Sequence, residues 1–233
     1  AVYIHNDDKL HKKHIEMTPC QVSDEIFLSG PMKKQTVGKG IRWMTFGPNE
    51  KGRMALWHRP PKSSMPHLSK SGCDVVVSLM GSKEVEPVTE IVKEYNRKLN
   101  ATREEAAQNP LRPFKDTGNV EHIHFDINHA SREYLETPEA ASKIIDAVQS
   151  LKTLIFQDGK GVLVHCSAGI HRTGTVAYTF LRCVGVTSHE AKNLLTQLRE
   201  CTGERVNEIL HSSEKHGCCR TGIAEKLFVP HVL

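Results

Sequence analysis

No apolar run in the chain approaches the ~20 residues that a membrane-spanning helix needs. The first residues, Ala1-Val-Tyr-Ile-His-Asn-Asp-Asp8, lack the apolar core of a secretory signal. Residue 1 is Ala rather than Met, which leaves room for a preceding segment and any targeting signal it carries. Internal repeats and low-complexity blocks are also missing. The arginines and lysines around 97–115 have few aromatics among them, so they read as a solvated face rather than a groove for nucleic acid. Seven cysteines, an odd number, argue against a disulfide framework and for free thiols in a reducing, cytoplasmic compartment.

What is present is ordinary globular composition. Of 233 residues, 38% are hydrophobic and 25% charged, enough for one large domain with a sizeable core. The net charge of +4, with 14 histidines uncounted, suits anionic ligands without requiring them. Residues 1–20 read as a polar extension whose His5, His11 and His14 follow no helical pattern; residues 21–233 read as a single domain. Near the C-terminus, His211, His216, Cys218 and Cys219 cluster, but adjacent cysteines chelate one zinc poorly. No metal site is expected there.

Along the chain, 24–30, 41–46, 53–57 and 120–127 read as strands, and Asp74-Val-Val-Val-Ser-Leu79 as a strand buried on both faces. Helices are expected at 64–71 and 85–108. Thr137-Pro138-Glu139 then has the capping, first-position and first-turn residues of a helix start. Ala141, Ile144, Ile145, Val148 and Leu151 follow as its apolar face. Val176, Ala177, Phe180, Leu181 and Val184 form another face, ending at Gly185. Thr187-Ser-His-Glu190 is a capping box ahead of Ala191, Leu194, Leu195 and Leu198. A final helix is expected over 205–216 with Gly217 beyond its end, while 128–136 carries no pattern. Alternating strands and helices predict an α/β fold, a mainly parallel central sheet flanked by helices.

The chemistry concentrates in Val162-Leu-Val-His-Cys-Ser-Ala-Gly-Ile-His-Arg-Thr-Gly174, a strand, a tight loop and a helix N-terminus. The Cys166 sulfur would face successive backbone N–H groups and the positive helix end, which favour the thiolate. The N–H groups of Ser167, Ala168, Gly169, Ile170 and His171 form a cradle for phosphate oxygens. Arg172 adds a planar fork that grips two such oxygens at once. A thiolate beneath a bound phosphoryl group is an in-line nucleophile, so these residues predict phosphoryl transfer to cysteine. The fork and amides serve where other enzymes use Mg²⁺, so no metal or cofactor is expected.

The full string His165-Cys166-Ser167-Ala168-Gly169-Ile170-His171-Arg172-Thr173-Gly174 resembles the signature loop of the cysteine-dependent protein tyrosine and dual-specificity phosphatases. The resemblance extends more loosely over residues 73–205. It implies the protein tyrosine phosphatase fold, with Cys166 forming a cysteinyl-phosphate and Arg172 clamping the phosphate. Thr173 would assist hydrolysis of the intermediate by bonding the sulfur, and His165 would support the loop from behind. His171 replaces the commoner Gly, as an exposed loop residue or as a cation at the pocket rim. Such enzymes place an aspartic general acid on a loop after a strand. No Trp-Pro-Asp occurs, so Asp126 is the choice, with Glu133 and Glu136 as runners-up. Its distance from Cys166 along the chain exceeds the family's usual spacing.

By the same resemblance, Cys73 and Cys183 become candidates for trapping an oxidised Cys166 as a disulfide. The phosphotyrosine-pocket loop Asn-Arg-Tyr is missing, since Glu94-Tyr95-Asn96-Arg97 reads as helix. The resemblance implies a hydrolase acting on a phosphorylated protein, at phosphotyrosine and extending to phosphoserine and phosphothreonine. Hydrolysis of a phosphoinositide or an RNA 5′-triphosphate, and silent binding of a phosphoresidue, stand as alternatives. No lysine lies inside the loop, which counts against the lipid.

Overall fold

The computed structural model describes residues 21–23, 41–46, 52–108, 118–129, 131–135, 137–204 and 206. Six strands form one sheet: β1 (Gln21–Ser23), β2 (Trp43–Phe46), β3 (Gly52–Trp57), β4 (Val75–Leu79), β5 (Glu121–Phe125) and β6 (Gly161–His165), in the order β1-β2-β3-β6-β4-β5. The first three pair antiparallel, whereas β3, β6, β4 and β5 are parallel neighbours. Every residue of β4 and β6 is buried. That burial on both faces is why their sequences are runs of Val and Leu rather than alternations. Edge strand β5 is only half-buried.

The helices are α1 (Met65–Lys70), α2 (Ser82–Gln108), α3 (Arg132–Leu135), α4 (Pro138–Lys152), α5 (His171–Cys183) and α6 (Ser188–Leu198). Thr137 caps α4 by accepting from the Ala140 amide, and the Thr187–Glu190 capping box starts α6. Residues 172–181 of α5 are all buried; this helix is enclosed rather than amphipathic, with α4 and α6 packed against it. Asn96 of α2 pins the helix to the sheet, donating to the Val120 carbonyl at 2.8 Å and accepting from its amide at 2.9 Å. Tyr95 and Asn96 therefore belong to a helix, as their sequence context predicts.

Two expectations need correction. The buried face of α4 is Ala140, Ile144, Ala147, Val148 and Leu151, with Ala141 and Ile145 half-buried. The featureless stretch 128–136 contains the one-turn helix α3. A π turn, Thr153–Gln157, extends α4 toward β6. Arg199 is extended (φ −157°, ψ 105°) and breaks α6, and helix resumes at 200–204; the helix expected over 205–216 lies outside the described residues except for Val206. The strand expected at 24–30, the loop 109–117, and the histidine and cysteine clusters at 1–20 and 211–219 lie outside the described residues.

Candidate active site

Parallel strands end at the same edge of a sheet, and ligands of α/β folds bind beyond that edge. Here β3, β4, β5 and β6 deliver to it His58–Arg59, Met80–Glu84, Asp126–Asn128 and Cys166–Arg172.

The loop after β6 folds back over its own sulfur. Gly169 donates its amide to Cys166 Sγ at 3.2 Å. Gly169 has φ 69°, and a Cβ there would lie 1.9 Å from the Trp57 carbonyl oxygen, so the loop needs glycine at this place on two counts. The Arg59 amide donates to the Ser167 carbonyl at 3.2 Å, and its Nη2 reaches Ser167 Oγ at 3.4 Å. Ser167 and Ile170 are half-buried, Ala168 is exposed, and His171 is half-buried as the first residue of α5.

Cys166 is 3% exposed. Burial works against its anion, but the Thr173 hydroxyl and amide, the Arg172 charge and the Gly169 amide outweigh burial and bring the thiol below its ordinary pKa. The buried Thr173 hydroxyl makes no hydrogen bond of ordinary geometry, yet it stands close enough to the sulfur to favour the anion. The contrast with the other buried thiols is chemical: burial pushes Cys73 and Cys183 up to about 12. The same fold makes one thiol acidic and two inert.

Arg172 is buried, with both Nη atoms engaged and Nε without a partner. Nη1 donates to Glu84 Oε2 at 2.7 Å and to the Ile127 carbonyl at 3.0 Å, and Nη2 reaches Ser167 Oγ at 3.3 Å. Glu84, in the first turn of α2, also accepts from Ser167 Oγ at 2.7 Å and from the Gly81 amide at 3.2 Å. The Arg172 guanidinium holds its carboxyl down to about 2; burial opposes this, and the Ser167 and Gly81 donors assist. Glu84 is thus a permanent anion that orients the fork. Nothing in the sequence singles it out, because an acidic residue in a first turn has a sufficient local reason and its partner lies 88 residues away.

His165 is fully buried and belongs to a chain of polar groups through the core. Its Nδ1 lies 3.2 Å from the Cys166 carbonyl and its Nε2 lies 2.7 Å from Ser78 Oγ. Ser78 Oγ lies 2.8 Å from His122 Nε2, whose Nδ1 lies 3.3 Å from Thr89 Oγ1. A carbonyl only accepts, so Nδ1 of His165 carries its proton and Nε2 accepts from Ser78. Ser78 then accepts from His122 Nε2–H, and Thr89 donates to Nδ1. Burial holds both imidazoles neutral, His165 at about 3 and His122 at about 4.

Asp126 follows β5 directly and is half-buried. Oδ2 accepts from Ser82 Oγ at 3.0 Å, and Oδ1 is buried without a partner. Its neighbour Ile127 supplies the carbonyl that holds Arg172, so Asp126 and the Cys166 loop meet at one edge. The side chains of Glu133 and Glu136 lie outside the described ones.

The disulfide candidates do not reach. Val75 aligns with Val162 and Ser78 with His165, which puts Cys73 at the opposite end of the strands, ~20 Å from Cys166 at the usual rise. Cys183 ends the thirteen-residue α5, ~18 Å from its first residue. A disulfide needs Cα atoms within about 7 Å.

No group of His, Cys, Asp or Glu among the described residues could hold a metal ion, and no helix among them is long and apolar enough to cross a membrane. None of the curated proteins matches the chain. Among solved structures, the chain is similar to a DUF442 protein of Shewanella putrefaciens, with 16% identity, 86% of this chain and 98% of that chain covered, and a TM-score of 0.48. It is also similar to Tk-PTP in a mutant form, with 18% identity, 75% and 87% covered and a TM-score of 0.46. A third is PTPMT1, with 18% identity, 70% and 94% covered and a TM-score of 0.41. The profile of the Tyrosine phosphatase family matches residues 52–208, from β3 through the loop to the last described helical turn; the chain belongs to that family.

Proposed function

We propose that the chain is a cysteine-dependent protein phosphatase, acting in the cytoplasm on phosphotyrosine and extending to phosphoserine and phosphothreonine. The observation that carries this reading is the Cys166 thiol, made acidic in spite of burial and faced by an amide, a hydroxyl and a guanidinium. The amides of 167–171 and the Arg172 fork hold the phosphate oxygens. The thiolate attacks phosphorus, the ester oxygen leaves with a proton from Asp126, and water then cleaves the cysteinyl-phosphate to release inorganic phosphate. Thr173 stabilises the departing thiolate, and His165 fixes the loop by holding the Cys166 carbonyl.

Two observations support Asp126 as the acid. Its Oδ1 is buried without a partner, one residue before the Ile127 carbonyl that holds Arg172, and Glu84, the carboxylate paired with Arg172, is committed as an anion. Residues 21–233 are taken as one catalytic domain, with no metal or cofactor.

Turnover of a small aryl phosphate, compared with Cys166→Ser, tests the reading. Tight phosphopeptide binding by wild type without turnover would replace it with a silent binding module. A panel of phosphopeptides, phosphoinositides and RNA 5′-triphosphate decides substrate class, and preference for either of the latter two refutes the protein substrate.

A further inference from the structure

The loop has a back as well as a front, and the back is held by a charge. Arg199 is 6% exposed, and no carboxylate among the described residues pairs with it. A buried cation must find compensation. Nη1 of Arg199 donates to the Ala168 carbonyl at 3.0 Å and to the Gly169 carbonyl, and it lies 3.4 Å from Thr202 Oγ1. Thr202 Oγ1 also donates to the Gly169 carbonyl, at 2.8 Å. Nη1 of Arg199 and the Thr202 hydroxyl thus both donate to the backbone of the Cys166 loop, while Arg199 Nε is buried without a partner.

The consequence follows from peptide geometry. In a trans peptide the C=O and the next N–H point in opposite directions. Holding the Ala168 carbonyl at the back turns the Gly169 N–H to the front, where it meets Cys166 Sγ at 3.2 Å. Holding the Gly169 carbonyl turns the Ile170 N–H the same way. The extended Arg199 that interrupts α6 is what aims the guanidinium at the loop, and the Gly174 position lets Thr202 and Val206 pack against the start of α5; a Cβ there would sit 3.2 Å and 3.1 Å from their methyl groups.

We propose that Arg199 and Thr202 are positioning residues, a clamp on the carbonyls of Ala168 and Gly169 that presents the Gly169 and Ile170 amides to the sulfur and to a bound phosphate. The clamp rests on reading the loop as a phosphate cradle. It works in two ways. It fixes the amides before the oxyanion arrives, so no reorganisation is needed on binding. It also places a positive charge behind the loop, where it offsets the thiolate from the side away from substrate.

Full-length wild type, Arg199→Met, Arg199→Lys and the near-isosteric Thr202→Val would be compared by two readouts. Calorimetry with tungstate, a phosphate-shaped oxyanion, measures the cradle. The rate of iodoacetamide alkylation against pH, corrected with Cys166→Ser, gives the Cys166 thiol midpoint without any oxyanion. Losing amide donors should weaken tungstate about tenfold in Arg199→Met and about threefold in Thr202→Val, and should raise the thiol midpoint by up to about one pH unit. Arg199 reaches both carbonyls through the single nitrogen Nη1, so a lysine ammonium, with three donors, should restore part of the tungstate binding lost in Arg199→Met. If Arg199→Met does not fold, Thr202→Val carries the test. Folded Arg199→Met and Thr202→Val that bind tungstate within twofold of wild type and keep its thiol midpoint overturn the clamp alone. Wild type that binds no tungstate overturns the cradle, and the clamp with it.

Discussion

Glu84→Gln isolates the charge of the carboxylate that orients Arg172 while keeping its shape. In the folded protein the Glu84 carboxyl is held at about 2, against an ordinary 4.5. At ~1.4 kcal/mol per pH unit that difference would be ~3.4 kcal/mol. The Glu84 side chain is 38% exposed, and water and salt screen such a pair, so about 1–2 kcal/mol is the realistic value. For a domain of this size it lowers the melting temperature by about 3–6 °C. A carboxylate depressed on folding stabilises fully above its unfolded pKa and ceases to do so as pH falls through its folded one. The gap between wild type and Glu84→Gln should therefore be full at pH 7 and less than half as large by about pH 3. Urea unfolding followed by circular dichroism at the two pH values measures it. A gap that is absent at pH 7, or equal at both, would show that the ion pair does not hold Arg172.

Ser78→Ala removes the hydroxyl between two histidines; leaving both imidazoles short of a partner should cost about 2–3 kcal/mol in urea unfolding, and a loss below about 0.5 kcal/mol would deny the polar chain. His122 and His165 stay neutral in the fold to about 4 and about 3, whereas the unfolded chain protonates them near 6.5. Stability should therefore fall as pH drops from 6.5 toward 4, with a slope approaching ~1.4 kcal/mol per pH unit for each histidine. His122→Gln, which keeps a donor toward Ser78, should remove one histidine's share, and an unaltered slope contradicts its neutral state. Asp126→Asn should reduce kcat on esters with poor leaving groups by roughly 10²–10⁴ and spare good ones; equal losses on both would remove Asp126 as the acid. Activity should survive a chelator and be lost on thiol oxidation, and inhibition by the chelator would contradict a mechanism without metal.

What the sequence discloses and what it withholds divide by distance along the chain. The strand to His165, the loop and the start of α5 are contiguous, and their residue types suffice. The caps at Thr137 and Thr187 are equally local. Glu84 meets Arg172 across 88 residues, and Arg199 meets Gly169 across 30; no pattern in one sequence joins them. The α4 face is misjudged by one position because periodicity favours the larger Ile145, whereas close packing places Ala140 and Ala147 inward. Cys73 looks available to Cys166 only until the parallel register shows that their strands present them at opposite ends. Helix α3 is a single turn, too short to leave a repeat.

The sheet order has a consequence for how the protein comes into being. Strand β6 is the last of the six among the described residues, yet it lies between β3 and β4. Until it is made and inserted, β3 and β4 each leave an edge unpaired, and two halves of the sheet wait for a centre that arrives late. Such long-range insertion slows folding and leaves sticky edges exposed meanwhile. It also ties reactivity to completion. The groups that acidify Cys166 sit on or after β6 and are held by residues on both sides of the gap, so a nascent or half-folded chain carries an ordinary thiol. The acidic thiol is created by the closing of the sheet.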